Sequence, residues 1–189
     1  NLDDDAFIKK FSDIFKENKM ESISEGTFFS SILFISALDE TNKIETFLEK
    51  FENAESPQMQ GRYRAVLGQV RDQNASKKIV EFMLDGRIRG ADCPYILASM
   101  VTNKYIGKKS WKVIKENFND LLRVMPDWTA SRILDALPSI YDEEFASDIK
   151  NFIKKNPLPS SEKLAAQKLE RLEANIEFMD NLKEVNNET

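Results

Sequence analysis

The sequence predicts an all-α fold, a HEAT/armadillo-like α-solenoid of about ten antiparallel helices joined by short turns. Apolar residues recur three and four positions apart along almost the whole chain of 189 residues, as expected for helices that bury one face. No stretch shows the alternation that is typical of strands. Glycine and proline are scarce, at six residues each, which suits a helical chain. We therefore expect residues 1–189 to form a single helical-repeat domain.

Five helices are predicted in the first half of the chain. The second begins around Ser24, and because its apolar residues lie on more than one side, we expect it to be central in the fold. Thr41 is the predicted cap of the third helix. The Ser56-Pro57 pair joins a capping side chain to the residue type favoured in the first helical turn, so it predicts the start of the fourth. Ser76 is the predicted start of the fifth.

The stretch Asp92–Leu122 predicts two further helices and the turn between them. Within this turn, Gly107 is expected to supply either a positive φ or a close approach between the two helices. Pro138 is expected to stop or kink a later helix. Asp142 is the predicted cap of the helix after that.

Three groups of residues, in order along the chain, form the most specific pattern in the sequence. They are Arg62, Tyr63, Gly68 and Asp92 upstream, then Asn103, Gly107, Trp111, Asn117 and Phe118, and finally Asn175. The pattern resembles the C-terminal helical domain of the gluzincin zinc aminopeptidases, which include aminopeptidase N, the puromycin-sensitive enzyme and the endoplasmic-reticulum aminopeptidases. Phe118 departs from the tryptophan that is usual at its position but keeps the site apolar.

This resemblance implies a non-catalytic C-terminal domain that caps a catalytic domain and lines a chamber for the peptide substrate. The implied partners are that catalytic domain, in cis, and the peptide, and zinc is expected in the catalytic domain of the parent protein. The chain starts without a methionine, so we expect it to be a C-terminal fragment of a longer protein. Its last helix is predicted from Ser160 or Ser161, before a polar tail, residues 186–189, that is expected to fray.

The fold leaves open a second function, because a helical-repeat domain does not by itself dictate what it binds. The alternative is an independent scaffold that binds a protein or peptide partner.

Catalysis by this chain alone is not expected. Histidine is absent and cysteine occurs once, so the chain lacks a zinc-ligand set of the usual kinds and the commonest general base. The parent protein is nevertheless expected to be a zinc-dependent aminopeptidase, as the resemblance implies. Cys93 precedes Pro94 at a predicted helix start, where the pKa of a thiol can fall, but no base is near in sequence and a structural cysteine is favoured.

Charge and hydropathy argue against two classes of partner. The net charge of −5 and the absence of a basic, aromatic-rich motif disfavour nucleic acid. The longest apolar run, Phe28–Leu38, is interrupted by serines and is shorter than the roughly 20 residues of a membrane span. A single cysteine suits a reducing compartment, so we expect a cytoplasmic location.

Basic residues are concentrated in the middle of the chain. Residues 77–123 contain 10 bases and 5 acids, whereas residues 1–56 contain 6 bases and 13 acids. Arg87, Arg89, Lys104 and Lys108 are the candidates for contact with the carboxylates of a peptide, and Arg87 or Arg89 is expected to face a concave side. The structural alternative is that these charges are solvated or that Arg89 braces its loop through a nearby aspartate.

Overall fold

The computed structural model describes residues 4–17, 26–158 and 162–187, with side chains as far as Leu182. Within these ranges the chain is helical and contains no strand. The elements are α1 (Asp5–Lys16), α2 (Gly26–Ala37), α3 (Ile44–Glu52), α4 (Pro57–Leu67), α5 (Ala75–Leu84), α6 (Cys93–Thr102), α7 (Gly107–Glu116), α8 (Phe118–Val124), α9 (Asp127–Ala130), a 3-10 segment (Ser131–Ser139), α10 (Glu143–Lys155) and α11 (Glu162–Asn187).

The helices stack in two rows, which confirms the predicted solenoid. In the second row, α2 packs on α4, α4 on α6, α6 on the 3-10 segment, and the 3-10 segment on α11. In the first row, α3 packs on α5 and α5 on α7. Aromatic contacts extend this row at both ends, because Phe15 of α1 stacks on Phe47 of α3 at 4.8 Å and Trp111 of α7 meets Phe152 of α10 at 5.3 Å, ring centre to ring centre.

A continuous apolar core lies between the two rows. Burying one large apolar side chain, such as leucine, isoleucine, methionine or phenylalanine, stabilises the folded state by about 1.5–3 kcal/mol. The row-to-row packing therefore holds the domain together, as it does in other helical repeats. The largest side chains that are fully buried include Phe15, Ile32, Phe47, Leu67, Ile79, Met83, Leu97 and Met100.

Two predicted caps are confirmed, and Thr41 is corrected. The Ser56 hydroxyl accepts from the backbone N–H of Met59 at 3.2 Å, and the Asp142 carboxylate accepts from that of Phe145 at 2.8 Å. α3 begins at Ile44, too far along the chain for Thr41 to cap it. The N–H of Ile44 donates to the carboxylate of Asp72 at 3.1 Å. This helix start is thus satisfied by a residue of another loop, which local sequence does not reveal.

Two helix boundaries also differ from the predictions. α5 begins at Ala75, and the predicted starter, Ser76, lies inside the helix, where its hydroxyl bonds that of Ser110 at 2.8 Å. The predicted helix that contains Trp111 is broken at Asn117, because the side-chain amide of Asn117 donates to the Val113 carbonyl at 2.8 Å and closes α7.

The remaining predicted boundaries agree only partly with the structure or lie outside the described residues. α9 and the 3-10 segment stand where one helix was expected, and Pro138 lies inside that segment, near its end. Ser24, Ser160 and Ser161, the predicted starts of two helices, lie outside the described residues. The predicted frayed tail overlaps the end of α11 at Asn186 and Asn187, and residues 188 and 189 lie outside the described residues.

α2 is not the central helix that its apolar composition predicts. One side, with Phe29, Ile32 and Leu33, is buried, but Phe28 and Phe34 are exposed on the other. The reason is position: α2 packs on α1 and α4, and its remaining side faces outward from the second row.

Candidate functional site

The loops of the solenoid collect along two edges, and the candidate residues lie on both. The first edge holds the loops between α3 and α4 and between α5 and α6. The second edge holds those between α2 and α3, α4 and α5, α6 and α7, and the 3-10 segment and α10. Two buried side chains tie successive loops of the second edge together: the Asp72 carboxylate accepts from the N–H of Ile44, and the Asn103 amide donates to the Gly68 carbonyl.

Asn103 is the centre of the second edge. Its buried side-chain amide donates to the carbonyls of Gly68 at 3.0 Å and Val70 at 3.1 Å, and its oxygen accepts from the N–H of Tyr105 at 2.9 Å. The residue therefore satisfies two loop carbonyls that would otherwise be buried without donors. Only an amide side chain of this length has both the donors and the acceptor.

Gly107 and Gly68 permit close approaches between chain segments. A Cβ atom on Gly107 would collide with the carbonyl oxygen of Val101, and one on Gly68 would lie 2.6 Å from the Cβ of Ser99. Of the two roles expected for Gly107, the structure selects close approach, because the positive φ of the described chain belongs to Gly86, at 82°. Both glycines thus serve packing.

Trp111 and Phe118 are core residues. The indole N–H of Trp111 donates to the Asp148 carboxylate at 3.0 Å, and both rings meet Phe152 edge to face. Asn117 lies between them at the end of α7. These contacts join α7 and α8 to α10, so the tryptophan anchors neighbouring helices.

The outer members of the sequence pattern also make structural contacts. The Arg62 guanidinium lies over the ring of Phe29 at 5.2 Å, and Tyr63 is buried with its ring 6.1 Å from the same phenylalanine. The Asn175 amide donates to the carbonyl of Pro138 at 2.7 Å and ties α11 to the 3-10 segment.

At the first edge, Arg87 is braced and Arg89 is largely exposed. The guanidinium of Arg87 donates to the Asp85 carboxylate at 2.5 and 2.9 Å and lies over the ring of Phe82, and the hydrogen bond from Arg87 is the main cause that lowers the pKa of Asp85. The Arg89 side chain is 72% exposed, with Nε 3.6 Å from the carboxylate of Asp92.

Sequence patterns did not reveal a second partner of Asp92. Arg64 forms an ion pair with the Asp92 carboxylate from α4. Arg64 and Asp92 are 28 residues apart, so no local spacing links them. Arg64 already neutralises the Asp92 carboxylate. The guanidinium of Arg89 is therefore not needed for that purpose and can donate to a carboxylate from outside the domain.

Lys104 and Lys108 lie at the second edge, in a cleft of about 490 Å³ between the α6–α7 turn and the start of α10. The Lys108 ammonium is 2.7 Å from the Asp142 carboxylate, and this hydrogen bond is the main cause that lowers the pKa of Asp142. The ammonium of Lys104 lies over the ring of Tyr105 at 4.7 Å. Tyr141 also lines the cleft and is exposed.

The structure therefore does not bring the four cationic candidates together. Arg87 and Arg89 precede α6, whereas Lys104 and Lys108 follow it. A helix of this length spans about 15 Å, so the two pairs form separate sites at opposite edges.

Cys93 is buried, and burial raises the pKa of its thiol to about 12. The thiol is therefore a core group, not a nucleophile. Across residues 4–17, 26–158 and 162–187, no group of three or more cysteine or acidic side chains is placed to hold a metal ion. No helix in these ranges is long and apolar enough to cross a membrane.

Comparison with known proteins agrees with this architecture. Residues 1–174 match the family model of the ERAP1-like C-terminal domain. Aminopeptidase M1-B of Oryza sativa subsp. japonica is 22% identical over 184 residues, which cover 93% of this chain and 20% of the rice protein. The chain thus spans about one fifth of the length of this relative.

Proposed function

This chain belongs to the ERAP1-like C-terminal domain family, and on that premise we propose that it is the non-catalytic C-terminal domain of a zinc-dependent aminopeptidase. It caps the catalytic domain in cis and lines the chamber that holds the peptide substrate. The family match over 174 of 189 residues is the observation that carries the proposal. Because the chain contains no histidine, the zinc and its ligands belong to the catalytic domain, where the metal would activate water and polarise the peptide carbonyl.

The domain contributes to peptide hydrolysis by positioning the substrate and not by taking part in the chemistry. A peptide held by its amino end in a catalytic site extends away from that site, and a rigid capping domain can contact its distal part and limit its length. The two-row packing and the tied loops of the second edge supply the rigidity that such contacts need. The cytoplasm is the proposed compartment, since one buried cysteine suits reducing conditions.

Arg89 is the proposed peptide contact at the first edge, and Lys104 and Lys108 are the proposed contacts at the second. Arg89 supports the proposal best, because it is the most exposed of the residues that surround Asp92 and its fork matches a carboxylate. Arg87 contributes less, since its fork already faces Asp85. To bind a peptide carboxylate, Lys108 must give up its ion pair with Asp142. The free energy of this exchange is close to zero, because both ion pairs are exposed to solvent.

The test uses the full-length parent enzyme with Arg89→Gln. We expect kcat/KM for long peptides with a distal acidic residue to fall about five- to thirtyfold, the loss of one charged hydrogen bond, while that for aminoacyl chromogenic substrates stays constant. Arg123→Gln is the matched control, because Arg123 is equally exposed but pairs with Asp120 on α8. An equal effect on long and short substrates would contradict the contact with peptide.

Trp128 favours a second candidate function, an independent scaffold for a protein or peptide partner. Its side chain is 75% exposed, and an exposed tryptophan is unusual outside interfaces. Recovery of this chain in a stable complex without peptidase domains, abolished by Trp128→Ala, would support the scaffold. Association with a separately expressed aminopeptidase catalytic domain would support the capping role instead.

A further inference from the structure

The last two helices, α10 and α11, leave a groove between them at the C-terminal end of the solenoid. A short connection joins these helices, so they run antiparallel, and Lys150 of α10 forms an ion pair with Glu173 of α11. Next to this pair, the start of α10 and residues 172–181 of α11 stand apart. The space between them is an open groove of about 440 Å³.

The floor of this groove is apolar. Ala146 of α10 and Leu172 of α11 form its base and are 2% and 1% exposed, and Ile176, about one turn further along α11, is half-buried. Packed helices lie about 8–10 Å apart, and the methyl group of Ala146 is too short to fill that distance. A side chain that enters the groove from another molecule would therefore contact apolar atoms.

The rim of the groove is acidic. Glu173, Glu177 and Asp180, which we call the acidic row, line it from α11, and Glu143 lines it from α10. Lys150 is the one basic residue of the lining, so four acids and one base give it a net charge of −3, compared with −5 for the whole chain. Within the described residues, Glu143 and Glu177 have no ion pair. The fold itself therefore does not neutralise these two carboxylates.

An acidic row alone does not identify a binding surface, as α3 shows. Its residues Glu45, Glu49 and Glu52 are exposed and have the same spacing, of four and then three positions, as the acidic row of α11. The row on α11 differs because it borders a groove with an apolar floor. It can therefore offer a partner ionic and apolar contacts side by side, the combination that specific docking needs.

The shape and charge of the groove select a basic amphipathic helix as its occupant. In the described part of the chain, no three acidic side chains are placed to hold a metal ion, so the acidic row does not converge on one point. The row extends over about 10 Å of the helix axis, which matches lysine or arginine side chains one turn apart on a facing helix. Aliphatic side chains on the same side of that helix would enter the groove and contact Ala146 and Ile176.

We propose that the groove between α10 and α11 is a docking site for a basic amphipathic helix of a partner protein. The apolar side chains of that helix fill the groove, and its basic side chains pair with the acidic row. This inference goes beyond the proposed function, because the groove lies at the end of the solenoid and includes none of the candidate residues for peptide contact. The occupant is a segment of a partner and not a substrate.

The test is fluorescence anisotropy with the 189-residue chain and three fluorescein-labelled helical peptides, each about 14 residues or four turns long. The first has leucine along one face and lysine along the adjoining face. The second has glutamate in place of lysine, and the third keeps lysine but has alanine in place of leucine. We expect the first peptide to bind at least about tenfold more tightly than either of the others, because it alone makes both kinds of contact. Added salt should weaken its binding, since exposed ion pairs are screened.

Variants locate the binding. Glu177→Lys reverses the charge at the centre of the acidic row, so it should weaken binding of the first peptide about fivefold or more and strengthen binding of the glutamate peptide. Glu49→Lys is the matched control, because Glu49 is exposed at the centre of the corresponding row on α3, and this variant should bind as the parent chain does. Circular dichroism melts of both variants check that these exposed substitutions leave the fold intact.

Three binding results would overturn the inference: equal affinity for the lysine and glutamate peptides, equal affinity for the leucine and alanine peptides, or equal weakening by Glu49→Lys and Glu177→Lys. Displacement of the first peptide by a separately expressed aminopeptidase catalytic domain would also overturn it, since the groove would then be an interface within the parent protein. So would a dimer of this chain that Glu177→Lys dissociates, because the occupant would be a second copy. None of these results tests the capping role, which fails only if the chain does not associate with a catalytic domain at all.

Discussion

At the scale of single residues, Gly68 sets the distance between α4 and α6. A Cβ atom there would lie 2.6 Å from the Cβ and Oγ of Ser99 and 2.9 Å from the backbone nitrogen of Met100. A contact with backbone cannot be relieved by a rotamer change, so the two helices would have to separate. Gly61 lies inside α4, about two turns before Gly68 at the end of that helix, and has open space around it.

We expect Gly68→Ala to lower the free energy of unfolding by about 1–3 kcal/mol, because the methyl group overpacks the α4–α6 contact. Urea denaturation followed by circular dichroism measures the change. Gly61→Ala is the matched control and should raise the free energy of unfolding by about 0.5–1 kcal/mol, since alanine favours a helix interior. Stabilisation by both substitutions would show that the α4–α6 contact is looser than described.

Asp39 is the residue whose charge the fold stabilises most clearly. Burial opposes ionisation, but hydrogen bonds from Ser12, Thr41 and Lys16 outweigh it and hold the pKa of this carboxyl well below its usual range. The Thr41 N–H and hydroxyl lie 2.9 and 2.7 Å from one carboxylate oxygen, and the Lys16 ammonium lies 3.2 Å from the other. The carboxylate thus ties α1 to the α2–α3 loop.

A lowered pKa in the folded state gives a definite pH dependence. The stabilisation is complete above the unfolded pKa of about 4 and is lost as the pH falls below that value toward the folded pKa. We expect Asp39→Asn to be less stable than the parent at pH 7, with the difference shrinking as the pH drops below about 4. Urea midpoints across pH 2.5–7, an interval chosen to bracket that value, measure it.

Asp120→Asn on α8 is the control for this titration, because Asp120 is exposed and pairs locally with Arg123. Its urea midpoint should follow that of the parent chain across the same interval. A constant difference between Asp39→Asn and the parent at every pH would contradict the role of the Asp39 charge.

At the scale of helices, Trp111 joins α7 to α10. Its indole N–H donates to Asp148, its ring meets Phe152, and Asp148 also accepts from Lys115 at 2.6 Å. One carboxylate on α10 therefore binds two residues of α7. Trp128, by contrast, is exposed on the short helix α9.

We expect Trp111→Phe to cost about 0.5–1.5 kcal/mol, because a ring remains in the core while the hydrogen bond is lost. Trp111→Ala should cost about 3–5 kcal/mol through the cavity it leaves. The same substitution at the other tryptophan, Trp128→Phe, should change stability by less than about 0.5 kcal/mol. Chemical denaturation compares the three, and similar effects at both tryptophans would rule out the anchoring role.

At the scale of the whole molecule, the solenoid has mostly nearest-neighbour contacts. α11 packs on the 3-10 segment and α10, the 3-10 segment packs on α6, and the α1 end of the rows is remote from all of them. In such an array, the stability of each helix pair depends on its own contacts and on those with its neighbours. Removing a helix at one end therefore destabilises the adjacent helices but not those at the other end.

We therefore expect a chain truncated after Leu158 to melt locally. Without α11, the 3-10 segment loses the cover of Leu169 and Leu172 and the bond from Asn175 to Pro138. Hydrogen exchange should show lost protection across residues 127–158 and native protection across residues 44–101, which lie further along the rows. Truncation after Leu182 is the control and should leave both regions protected. Uniform loss across the chain would argue for a single cooperative unit instead.

The sequence by itself determined the fold class and most of the helices. Helices bury apolar residues three and four positions apart, and the caps at Ser56 and Asp142 bond backbone groups three residues further on. Both features involve only residues close in sequence, so they can be predicted from a short stretch of it. The family pattern was legible too, because Asn103, Gly107 and Trp111 are needed at particular positions in the packing.

Only the tertiary structure decided which residues meet across the rows. Asp72 replaces Thr41 at the start of α3, Arg64 shares Asp92 with Arg89, and the arginine and lysine candidates divide between two edges. It also turned Phe34 outward, because α2 packs on α1 and α4 and leaves its remaining side uncovered. These outcomes depend on contacts between residues far apart in the chain, which form only when the whole core packs, and no local spacing encodes them.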